Sequence, residues 1–69
     1  DLNQALAWVN KAVENNKEAY WMTMLKARIH LKLGDKTAAK AAANTTIDLA
    51  TKGKNDDYVK MATDLIAGL

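Results

Sequence analysis

Residues 20 to 33 limit the fold of this chain more than any other stretch, because they are apolar round most of a helical circumference. On a helix advancing 100° per residue, Tyr20, Met24, Ala27 and Leu31 make one apolar row, and Trp21, Leu25, Ile29 and Leu33 make another. Only a narrow polar strip of Thr23, Lys26 and His30 remains. A helix of this kind has to be packed on two sides, so the segment is predicted to be the centre of the domain.

The rest of the chain supplies helical partners. Thirteen alanines, no proline and few β-branched residues favour helix almost everywhere. The breaks are few, and each has a mechanism. Asn15-Asn16 offers the left-handed conformation that ends a helix, and Gly34 stands where a terminating glycine belongs, with Asp35 as the next N-cap. Around Gly53, Thr51 to Asn55 close a third helix, and Asn55 or Asp56 caps a fourth. The expectation is an all-α single domain over 1–69, with helices at about 2–15, 18–33, 36–52 and 56–67. The first helix has its stripe at Leu2, Ala5, Leu6, Val9, Ala12 and Val13, with Trp8 at its edge. The third has Ala39, Ala42, Ala43, Thr46, Ile47 and Ala50, and the fourth Tyr58, Met61, Ala62, Leu65 and Leu69. Thr46 points inward where a small apolar residue is expected, which should weaken the third helix.

Size and composition narrow the function classes. A chain of 69 residues buries only about 60% of the surface its unfolded form exposes, so its stability margin is thin without a staple or a partner. There is no cysteine for a disulfide or thiolate metal site, and a single histidine makes a zinc site implausible. A net charge of +2 is too weak and too scattered for a nucleic-acid footprint. The apolar runs are too short to span a membrane, and no signal peptide is recognisable. Neither nucleic acid nor membrane is expected as a partner. The pattern begins at Asp1 in mid-repeat and without Met, which reads as an excised or engineered piece.

That repeat emerges when the chain is laid over itself at an offset of 34 residues, pairing Asp1 with Asp35, Ala5 with Ala39, Ala7 with Ala41, Asn10 with Asn44 and Val13 with Ile47. Leu33-Gly34-Asp35 resembles the turn between the two helices of a tetratricopeptide repeat. Ala27 and Ala39 sit at the small positions of that family's first and second helices, and Asp1, Ala5 and Ala12 match the second helix of a preceding repeat. The resemblance implies four antiparallel helices as stacked helical hairpins: a second helix, a complete hairpin, then a first helix. Departures from the family pattern are Thr46 where the preceding unit has Ala12, the missing proline after the repeat, and a longer last connection. A second similarity, of Asn55 to Met61 with Trp8 and Ala19-Tyr20-Trp21, is to the helical C-terminal region of an uncharacterised bacterial exported family. It implies no biochemical function.

No constellation for chemistry is found. His30 has Lys26, Ala27, Leu33 and Gly34 as its helical neighbours, so no nucleophile or carboxylate converges on it. Asp56-Asp57 is better explained as an acidic first turn placed favourably against the helix dipole. Asn44-Thr45-Thr46 formally matches a glycosylation acceptor, but it lies in mid-helix. No phosphate loop or nucleophile elbow is present, so enzymatic activity, cofactors and metals are not expected. Most of the rings of Trp8, Tyr20, Trp21 and Tyr58 are read as filling for a core without phenylalanine, with Trp21 the exception.

In the tetratricopeptide family, the first helix of each repeat lines a concave groove for peptides or partner helices. Carried over, the resemblance puts Trp21, Met24, Arg28 and Lys32 on an exposed groove face, suited to acidic peptides or a C-terminal carboxylate. The family's Asn-rich clamp is missing. Two functions compete: a structural repeat unit that self-associates as a homodimer, and a module that binds a peptide or helix of another protein on the second helix.

Overall fold

Local capping sets the helix boundaries. In the computed structural model, which describes residues 1–69, four helices and no strands form: α1 (Leu2–Asn15), α2 (Tyr20–Lys32), α3 (Lys36–Lys52) and α4 (Asp56–Ala67). The Asp1, Asp35 and Asn55 side chains accept hydrogen bonds from the backbone N–H groups of Gln4, Ala38 and Tyr58, at 2.8, 3.0 and 3.2 Å. Each satisfies a donor that the first turn leaves unpaired. Helix α2 has no such cap, since Ala19 holds the N-cap place, and it starts at Tyr20 rather than 18 because residues 16–19 form a turn in which Glu18 N–H and Ala19 N–H both donate to Asn16.

The C-terminal ends differ from one another. Asn16 is extended, with φ −141°, not left-handed as expected, and its Oδ1 accepts from the Glu18 N–H at 3.1 Å. This side-chain turn redirects the chain without a left-handed residue. Helices α2 and α3 end alike: Asp35 N–H donates to the His30 carbonyl at 2.9 Å and Asn55 N–H to the Ala50 carbonyl at 2.8 Å. Such closures place one residue in the left-handed region. At the first it is Gly34, φ 82°, but at the second it is Lys54, φ 57°, not Gly53. Gly53 answers to packing instead, since a Cβ there would stand 3.1 Å from Tyr20 Cε2.

Helix α2 touches all three others, α3 touches α2 and α4, and α1 touches α2 alone. The core is built on small residues. Met24, Ala27, Ala42, Ala43 and Ala62 form the buried cluster, with Ile47, Tyr58, Met61, Leu65 and Ile66 packed against it. Alanine at Ala27, Ala39, Ala43, Ala50 and Ala62, each 0% exposed, lets backbones approach closely. Two-sided packing of α2 holds at Ala27 and at Ile29, which lies 200° away and is 5% exposed. It does not hold all round. Leu25, Leu31 and Leu33, which the apolar rows place inside, are 38, 41 and 40% exposed, while Trp21, 47% exposed, agrees with its groove assignment. Leu25 shares the open arc of Trp21, whereas Leu31 and Leu33 point near the directions of buried Met24 and Ile29 but stand at the C-terminal end of α2.

Thr23 also departs from expectation. Assigned to the polar strip, it is 3% exposed, and its Oγ1 lies 2.7 Å from Thr46 Oγ1 on α3. Thr23 Oγ1 is 3.0 Å from the Tyr20 carbonyl and Thr46 Oγ1 is 3.0 Å from the Ala42 carbonyl. The inward Thr46 is thus not a mismatch but half of a cross-helix polar pair. Two hydroxyl protons serve three acceptor contacts, so the groups depend on one another. Thr46→Val should cost about 1–2 kcal/mol, and Thr23→Val/Thr46→Val less than the sum of the single changes. Denaturant unfolding of the double-mutant cycle measures this, and strict additivity would refute the coupling.

Candidate functional site

The surface left open by the packing centres on α2. Spacing of four, three and four residues sets Trp21, Leu25, Arg28 and Lys32 within a narrow arc of that helix, and all four are exposed. Of the residues assigned to the groove, Trp21, Arg28 and Lys32 share this arc. Met24 does not. It is 2% exposed and belongs to the core cluster, turned 60° from Trp21 toward the neighbouring helices. Leu25, on the other side of Trp21, takes its place. Spacing alone does not separate the two, since both flank Trp21 on the helix.

An aromatic cluster braces the N-terminal end of the strip. Tyr20 meets Trp21 and Tyr58 edge to face, with centroids 5.0 and 5.1 Å apart. The Tyr20 hydroxyl accepts from Asn55 Nδ2 at 3.1 Å. Tyr20 and Tyr58 are half-buried, but Trp8, 63% exposed, lies outside the core along with Trp21, so only two of the four rings help to fill it. Beside Tyr20 and Trp21 is an open cleft of about 270 Å³, bordered also by Glu18, Leu49 and Lys52.

The other candidate groups do not converge. His30 is half-buried at a shallow cleft of about 220 Å³ with Lys26 and the α3 residues Ala38, Ala41, Ala42 and Thr45, and no carboxylate lines it. Asp56 and Asp57 are exposed in the first turn of α4. No group of three or more His, Asp or Glu side chains is placed to hold a metal ion. In Asn44-Thr45-Thr46 the Thr46 hydroxyl is fully buried. No helix is long and apolar enough to cross a membrane. No family model, curated protein or solved structure matches the chain.

Proposed function

We propose that this chain is a non-enzymatic structural and interaction unit of tetratricopeptide-like design, its helices alternating in direction as stacked hairpins, and that it self-associates as a homodimer. The observation that carries the reading is the distribution of large apolar side chains. Trp8, Trp21, Leu25, Leu31 and Leu33 are exposed, whereas Val9 and Thr46 are the largest side chains wholly inside. A small chain with so little buried and so much apolar surface open gains stability by covering that surface with a partner.

Alternating direction is supported by contacts that run backwards along α3 as α2 advances: Tyr20 meets Gly53, and Thr23 meets Thr46. The return of α4 to α2 at Tyr58 and Tyr20 is in keeping with a repeat stack, in which each hairpin packs on its neighbour. The alternative, a peptide groove on α2, keeps Trp21, Arg28 and Lys32 but loses Met24 to the core.

Dilution tests the reading. A dimer needed for stability melts at lower temperature as concentration falls, and its scattering mass is twice 7.6 kDa. A melting curve independent of concentration, with a scattering mass near 7.6 kDa, would refute self-association.

A further inference from the structure

Two strips with matching positions lie on α2 and α4. Trp21, Leu25 and Arg28 are the second, sixth and ninth residues of α2, and Asp57, Met61 and Asp64 hold the same places in α4. The Tyr20–Tyr58 contact and the Asn55–Tyr20 hydrogen bond bring the N-terminal ends of these helices together. For helices running in the same sense from that contact, a rotation of +100° from Tyr20 to Trp21 and of −100° from Tyr58 to Asp57 leads to the same side of the pair. One face then carries an apolar and cationic strip beside an apolar and acidic one. Arg28, Asp57 and Asp64 are exposed and Met61 is half-buried. Asp64 is held only by Lys60, at 3.5 Å in an exposed pair, which constrains it little.

Resting on the self-association proposed above, we infer that a second copy of this chain covers that face, about a two-fold axis parallel to α2 and α4. The axis lays each α2 strip over the α4 strip of the other copy. Counted from the Tyr20–Tyr58 contact, the strips are offset by only two residues, about 3 Å along the axis, so Leu25 then comes against Met61 of the second copy, the long Arg28 side chain reaches its Asp64, and each contact is made twice. An unrelated peptide would need the α2 strip alone. The acidic strip alongside it on the same face is what selects a second copy, and the two-fold closes the assembly at two chains. Helices α2 and α4, 13 and 12 residues long, each run about 20 Å, so the contact is a compact one, at or below the roughly 800 Å² per partner of a standard interface.

Light scattering over a concentration series, with circular dichroism to verify helicity, tests the arrangement on the full chain. Arg28→Asp and Asp64→Arg should each weaken the dimer about tenfold or more, since each sets like charges opposite one another twice. Combined in one chain, they should restore affinity to within about threefold of the original. Leu25→Glu should leave a folded monomer, and high salt should weaken the unaltered dimer. A dimer indifferent to Leu25→Glu and Arg28→Asp, or one that the double exchange fails to restore, overturns this arrangement and leaves self-association standing on another surface. A chain that stays at 7.6 kDa up to millimolar concentration overturns both.

Discussion

Ala27→Leu lowers stability by about 1–3 kcal/mol, a fall in melting temperature of about 10 °C for a domain this small. Ala27 is 0% exposed on the helix that touches every other, and it packs in a cluster with Ala42, Ala43 and Ala62. A longer side chain there has no void to enter, so it must push α2 from its neighbours or leave its preferred rotamer. Ala41→Leu is the control, because Ala41 lies on the exposed side of the adjoining helix and should stay within about 0.5 kcal/mol of the parent. Thermal melts at one fixed concentration measure both. If Ala27→Leu melts no lower than Ala41→Leu, the close approach of α2 to its neighbours is not what stabilises the fold.

Val9→Asp detaches α1. Val9 is 0% exposed, and α1 has no helix other than α2 to hold it. A carboxylate at that place would lose its hydration inside the domain, and undocking one helix costs less than burying the charge. A free helix of 14 residues is marginal in water, so about a quarter of the helical circular dichroism should disappear while α2 to α4 keep theirs. Val9→Ala leaves α1 docked at a cost of about 2 kcal/mol. Full helicity in Val9→Asp would show that α1 is held by something other than this contact.

Helix number and most boundaries are legible in the sequence because they are local events. Asp1, Asp35 and Asn55 each cap the helix that begins at the next residue through an N–H three residues on, and Gly34 closes α2 over a single turn. The buried side of α3 is legible for the same reason, since its alanines recur at helical spacing. What local spacing does not contain is the choice of which arc of α2 stays open. Met24 and Leu25 are both apolar and flank Trp21. Contacts between residues far apart in the chain, Tyr20 with Tyr58 among them, turn Met24 inward and leave Leu25 out. The Thr23–Thr46 pair spans 23 residues, and a threonine's own position does not disclose a hydroxyl partner at that distance. Lys54 in the left-handed region is hidden too, because the glycine beside it is the natural choice and is taken up by the Tyr20 ring.

A core assembled from alanine in a molecule 15 Å thick also governs how the chain responds to heat. Alanine removes little hydrocarbon from water, and the heat-capacity increment of unfolding follows the hydrocarbon removed. For a chain of this length an average composition would give about 1 kcal/mol/K, and this core lies at or below that value. The unfolding enthalpy is small with it, about 50 kcal/mol near 60 °C by the per-residue average. Folded and unfolded populations therefore change over a wide span of temperature, and the stability curve is shallow at both its warm and its cold ends.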